Sequence, residues 1–208
     1  APGLLEDYAA LIRAACTLHE TSGETAHPAQ ARAWLDRAVQ DFCDTEQGGF
    51  FQTAADVSDI LVRPRPVRDS AVPAPNGLML EAMARLAHIR PEPELNARTD
   101  GQIRAFSAAL HENIFALCAF MTGLIWVYEG LYVTLEGPAD HETYTALKDV
   151  LFEKSRPFVM ISIEDSDDSH DSGDSGGPAR PRVRVCRTGV CQAPVDGPEA
   201  LRQALDEE

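Results

Sequence analysis

The feature that most constrains this chain is an alternation between helices apolar nearly all round and helices apolar along one stripe. Leu5, Ala9, Ile12 and Cys16 mark one face of a first helix, while Leu4, Tyr8, Leu11, Ala15 and Leu18 cover much of the rest. A helix apolar over most of its circumference is expected to be buried on several sides. The second pattern is narrower: Trp34, Leu35, Ala38, Val39, Phe42 and Cys43 form a single stripe opposite Arg32, Asp36, Arg37, Gln40 and Asp41. Residues 76–89 return to the first type, with only Glu81, Arg85 and His88 polar after the opening turn. Helical character then runs through about 94–128 and breaks near Leu110 to Asn113. Inner, outer, inner, outer is the order expected of antiparallel hairpins stacked around a centre, a toroid or solenoid, more than of a four-helix bundle. About five helices do not close such a ring. The remainder is expected to precede Ala1, which is not a methionine and so reads as the start of a fragment or processed chain.

Between the second and third helices lies a long, turn-rich, charged connection, residues 48–76. Connections longer than about 12–15 residues in compact domains are usually functional or disordered. Phe50, Phe51, Ile60, Leu61 and Val62 can pack, so disorder is not the reading here.

The character changes after Gly130. Leu131–Leu135 reads as a strand, Glu142–Glu153 as a helix, Phe158–Ile163 as a buried strand, Val183–Cys186 as a short strand and Pro198–Leu205 as a closing helix. Residues 164–181 form a low-complexity acidic linker that cannot bury a core. The expected organisation is therefore mainly α: helical hairpins of an incomplete (α/α) toroid over residues 1–129, then a small α/β subdomain over 130–208.

The 208 residues carry a net charge of −15, much of it in the acidic linker and the C-terminal Asp206-Glu207-Glu208. A surface of that sign argues against general nucleic-acid binding, which needs positive charge to displace counterions from phosphates. No run reaches the roughly 18 apolar residues of a membrane helix; the closest, Ile114 to Tyr128, reads as a buried core helix. Neither a nucleic-acid nor a membrane partner is expected. Cys16, Cys43 and Cys118 fall on apolar helix faces, where a free thiol behaves as a small hydrophobe, which suggests a reducing, cytoplasmic setting.

Several motifs fail on inspection. Gly173 to Pro178, GDSGGP, matches the nucleophile loop of chymotrypsin-like serine proteases letter for letter. That chemistry needs a buried Asp–His pair and a rigid β scaffold, and the hexapeptide instead lies in a Ser/Asp/Gly tract. Counting from Asp165 or Asp167 finds neither the Gly nor the Glu of a calcium-binding EF-hand loop. The histidines form no HxH or HExxH pattern, so no metal or other cofactor is expected. Cys186 and Cys191 are a candidate thiol pair around a tight turn. Their spacing is not the redox CxxC, and free thiols, a disulfide and a metal contribution all stay open.

The remaining candidates are polar residues where buried helices begin. Glu6-Asp7-Tyr8 opens the first inner helix, and Asp69 and Asn76 bracket the approach to the second, with Arg63, Arg65 and Arg68 just before. Inner helices of a toroid run parallel, so their N-termini and the 48–76 arm would share one concave mouth. Free amides at helix N-termini favour anions and polar ligands. Asp7, Tyr8, Arg63, Asp69 and Asn76 thus form a candidate pocket, against the plainer reading of Asp7 and Asn76 as helix caps or first-turn groups. No residue stands out as catalytic.

LEDYA (Leu5–Ala9), GGFFQTAAD (Gly48–Asp56), LVRPRPVRDSAVPAPN (Leu61–Asn76) and VCRTGVCQAPVDGPEAL (Val185–Leu201) together resemble the C-terminal portion of the thioredoxin-domain-containing family of spermatogenesis-associated protein 20 and its bacterial relatives. The resemblance implies a six-hairpin-glycosidase-like (α/α) toroid, related in architecture to sugar 2-epimerases. It also implies an N-terminal remainder, with a thioredoxin-like domain and most of the toroid, as the partner of this region. Two functions follow as expectations. One is a scaffold segment, incomplete alone, with an exposed apolar surface along helix 4–21. The other is a carbohydrate-binding or carbohydrate-active mouth, with a sugar or sugar-like molecule as partner and Asp7 and Asp69 converging in one pocket.

Overall fold

In the computed structural model the described residues are 3–58, 60–164, 180–187 and 190–206. Most of the acidic tract, with the whole Gly173–Pro178 hexapeptide, lies outside them, as do Thr188 and Gly189. The described residues are mostly helical, with a small four-stranded sheet. They fall into two compact units, Ala1–His19 with Glu24–Val127, and Glu20–Gly23 with Tyr128–Glu208.

The first unit is built on helices α1 (Leu5–Ser22), α2 (Ala26–Phe42), α3 (Pro75–Ile89), α4 (Pro93–Glu112) and α5 (Cys118–Glu129), with a 3-10 turn at Ile114–Ala116 before α5. The expected break near 110–113 is thus a helix end followed by that turn. Helix α3 is the centre. It begins with proline, whose missing N–H costs nothing in a first turn, and every residue from Pro75 to Leu86 except Leu78 is buried. It packs against both α2 and α4. Met79, Leu80, Met83 and Leu86 are wholly buried, each contributing about 1.5–3 kcal/mol of apolar transfer. Helix α2 is an outer helix, buried along Pro28, Ala31, Leu35, Ala38 and Phe42. Leu80, Phe106, Leu117 and Phe120 form a core cluster, with the Phe106 and Phe120 rings edge to face at 5.7 Å.

Helix α1 departs from the expectation. Leu5, Ala9, Ile12, Ala15 and Cys16 are buried, but Leu4, Leu11 and Leu18 are 38%, 43% and 51% exposed. The apolar residues that made α1 read as buried on several sides are real, yet only one face is covered.

Two glycines set how closely elements approach. A Cβ on Gly77 would lie 2.6 Å from the Phe120 nitrogen and 2.7 Å from the Ala119 carbonyl carbon, so α3 meets the start of α5 backbone to backbone. Gly49, at φ 73°, occupies the left-handed region and leaves no room for a Cβ against the Phe106 ring.

The second unit contains β1 (Leu131–Glu136), α6 (Glu142–Glu153), β2 (Val159–Glu164), β3 (Arg182–Arg187), β4 (Val190–Cys191) and α7 (Pro198–Asp206). The sheet order is β2-β1-β3-β4, with β2 parallel to β1 and the other pairs antiparallel. The long α6 connection makes the parallel pairing possible. Val133, Leu135, Val183 and Val185 point from the two central strands into a core shared with Leu147, Leu151, Leu201 and Leu205 of α6 and α7. On β1, buried Glu136 is held by Arg182 at 3.0 Å and by Arg184.

Candidate functional site

The 48–76 arm opens on a turn made by one carboxylate. Asp44 Oδ1 accepts the Glu46 and Gln47 amides, both at 3.0 Å, and its Oδ2 accepts from Arg65 Nη1 at 2.6 Å. Gly48 and Gly49, both at positive φ, let the chain double back. The Asp44 amide then donates to the Gly49 carbonyl, and the Phe51 amide to that of Phe42. Burial would push the Asp44 pKa up, but the amides of Gln47 and Glu46 and the Arg65 guanidinium outweigh it, holding the carboxyl below its ordinary range.

This turn walls a hollow of about 580 Å³ lined by Cys43, Asp44, Thr45, Glu46, Gln47, Phe51, Arg63 and Arg65. Arg63 lies over the Phe51 ring, 4.2 Å from its centroid, and donates to the carbonyls of Thr53 and Asp41. Arg65 bridges Asp44 and Gln47, and its guanidinium sits 5.1 Å from the Phe106 ring centroid. The surface mixes acids, guanidiniums, an amide and one aromatic edge. That chemistry suits a polar, uncharged or zwitterionic ligand better than a simple anion, because both arginines already face acceptors.

Of the five residues of the expected pocket, only Arg63 lines this hollow, beside Arg65. Asp7 is exposed on α1, and its Oδ2 accepts the Leu4 amide at 2.8 Å, half of a capping box. Tyr8 packs its ring against Phe42, centroids 5.4 Å apart. Asp69 bridges two segments: Oδ1 accepts the Ala74 amide and Oδ2 the Ala119 amide, each at 2.8 Å, while its own amide donates to the Ala116 carbonyl. Ala119 is in the first turn of α5, so Asp69 caps that helix from across the chain. Asn76 is wholly buried. Its Oδ1 accepts the Phe50 amide at 3.0 Å, and its Nδ2 donates to the carbonyls of Phe50 and Pro66, both at 2.9 Å. The side chain thus pairs with Phe50 as a neighbouring strand would. Asp7 and Asp69, expected to converge, take different partners: Asp7 the Leu4 amide, and Asp69 those of Ala74 and Ala119.

Cys186 and Cys191 form a disulfide, with Cα atoms 3.9 Å apart. Among the described residues, no group of three or more His, Cys, Asp or Glu side chains is placed to hold a metal ion. No described helix is long and apolar enough to cross a membrane.

Sequence reasoning missed Asp44, Gln47 and Phe51. The signal for the first was present: an Asp before a Gly-Gly pair is the pattern of an Asx turn that ends in left-handed residues. Comparison with models of known protein families gives no match, and comparison with curated proteins gives none either.

Proposed function

We propose that the helical unit is a run of hairpins from an (α/α) toroid of the six-hairpin-glycosidase type, in a protein of the thioredoxin-domain-containing spermatogenesis-associated protein 20 family. In this chain its role is architectural, not catalytic. One observation carries the second statement. The polar groups of the Asp69–Asn76 segment are committed to backbone: Asp69 to the amides of Ala74 and Ala119, Asn76 to Phe50 and Pro66. A carboxylate holding two amides and a buried amide holding three backbone groups act as latches between segments of the chain. The exposed leucines of α1 support the toroid, since a further helical hairpin would cover them.

The test is calorimetric titration of this chain with neutral sugars and sugar phosphates, repeated on Asp69→Ala. The expected result is no saturable heat dependent on Asp69, together with a lowered unfolding temperature in the variant. A sugar that binds the wild-type chain and is lost with Asp69→Ala at unchanged fold would overturn the architectural reading.

A second reading is favoured by the hollow beside the arm. Its Phe51 edge, the Gln47 amide and the Glu46 carboxylate are groups that recognise sugar hydroxyls. On this reading the carbohydrate sits against the 44–47 turn and not at the helix N-termini. Binding would weaken with Gln47→Ala and be indifferent to Asp69→Asn.

A further inference from the structure

The second unit holds a disulfide that its core does not need. Cys186 lies in β3 and Cys191 in β4, paired directly across an antiparallel register. Along β3, Val183 and Val185 face the core while Arg182, Arg184 and Cys186 take the alternate positions, so the bridge is on the face away from the packed helices. Neither cysteine belongs to the buried cluster; Cys186 is half-buried and Cys191 exposed. The bridge spans a sequence separation of only 5, and short loops gain least from a cross-link because little chain entropy is removed from the unfolded state. What it fixes is local. Strand β4 has two residues, held by the pairing with Cys186 and Arg187, and the Gln192 amide donates to Val185 at 2.9 Å just beyond.

We propose that Cys186–Cys191 is a thiol–disulfide exchange site, an accessible couple that trades two electrons with an external dithiol. The thiolate of that dithiol attacks Sγ of Cys191, the more exposed sulfur. The S–S bond breaks, its electron pair leaves on Cys186 Sγ, and a mixed disulfide joins Cys191 to the external sulfur. The second external thiol loses its proton and attacks the first external sulfur, releasing Cys191 as a thiolate. Both cysteines then take protons from water. The external dithiol is oxidised to its disulfide, the protein is reduced by two electrons, and β4 loses its covalent hold on the sheet. The three cysteines outside the bridge supply an internal control, because Cys16 is buried in the other unit while Cys118 is exposed.

The test uses the whole chain under native conditions. The protein is equilibrated with dithiothreitol at graded ratios of reduced to oxidised form, quenched with an alkylating agent, and each cysteine is followed by peptide mass spectrometry while far-ultraviolet circular dichroism reports the fold. Cys186 and Cys191 are expected to become alkylated together, with helical signal unchanged and Cys16 still protected. Opening of the pair only in step with loss of helical signal or with exposure of Cys16 would overturn the proposal, since the bridge would then be a structural staple. The direction of attack is tested separately with glutathione, a monothiol, by quenching at early times and mapping the mixed disulfide by peptide mass spectrometry. Glutathione is expected on Cys191 in several-fold excess over Cys186, and equal or reversed occupancy would contradict the assignment of Cys191 as the attacked sulfur.

Discussion

Replacing Asn76 by alanine removes the groups that tie the arm to α3. The Phe50 amide loses its acceptor at 3.0 Å, and the carbonyls of Phe50 and Pro66 lose a donor at 2.9 Å each. Phe50 is 1% exposed and Asn76 fully buried, so water does not reach the two Phe50 groups without local opening, while Pro66 is only half-buried. Leaving a buried backbone group unsatisfied costs about 1–3 kcal/mol. Three such groups, discounted for partial relaxation, give a loss of about 3–5 kcal/mol, at the upper end of what single substitutions do. For a chain of this size that corresponds to a fall in Tm of roughly 6–20 °C. Asn76→Asp separates hydrogen bonding from volume. It keeps an oxygen for the Phe50 amide but turns a second oxygen toward two carbonyls, so it is expected to be at least as destabilising as Asn76→Ala despite filling the same space. Urea denaturation followed by far-ultraviolet circular dichroism measures both. If Asn76→Asp fell within about 1 kcal/mol of wild type, the Nδ2 bonds would carry no energy and the latch argument would fail.

Other substitutions test neighbouring links. Asp69→Ala removes the acceptor for the amides of Ala74 and Ala119 and is expected to cost about 1–3 kcal/mol, with Asp69→Asn no milder because its NH2 would face one of the two amide donors; chemical denaturation ranks them. Gly77→Ala would press a methyl onto the backbone of Phe120 and Ala119; it should destabilise by about 1–3 kcal/mol by forcing α3 and α5 apart, and no change in Tm would show that this approach is not tight. Burial holds the His88 pKa down at about 3, against an ordinary value of 6.5. The unfolded chain therefore takes up that proton first, so the His88 contribution is complete above about pH 6.5 and declines as pH falls toward 3. His88→Gln should flatten the Tm profile over that window. Asp44 acts at lower pH: its depressed pKa gives stability that is present above the ordinary value of 3.8 and lost as pH falls through the folded value, so Asp44→Asn should flatten only the acid limb.

Much of the helical layout could be read from residue patterns because the physics is local. The all-round apolar run after Pro75 marks α3 as central, and the narrow Leu35–Ala38–Phe42 stripe marks α2 as an outer helix. The same reasoning over-buried α1, since Leu4 and Leu11 are apolar whether or not anything covers them. The strands at 131–136 and 159–164 are legible from their β-branched and aromatic residues, but β4 is too short to leave a pattern, and its register with Cys186 settles the bridge that the Cys spacing left open. The candidate residues were nominated by position, with a pocket and a capping role both open. Helix N-termini did gather polar residues, but the sequence does not reveal that Asp69 reaches 50 residues ahead to the Ala119 amide, or that Asn76 reaches back 26 to Phe50. Those backbone partners are what turn the same residues into ties between segments. The hollow arises from a pairing across 21 residues, Asp44 with Arg65, which only the turn at Gly48-Gly49 brings about.

The central claim, that Asp69 and Asn76 hold the fold together, is tested most directly by amide hydrogen exchange resolved at single residues. The amides of Phe50, Ala74 and Ala119 are expected to be protected in the wild-type chain. In Asp69→Ala, those of Ala74 and Ala119 should become fast together while Phe50, held by Asn76, stays slow. Rapid exchange at Ala74 and Ala119 in the wild type, or protection there unchanged by Asp69→Ala, would contradict the account.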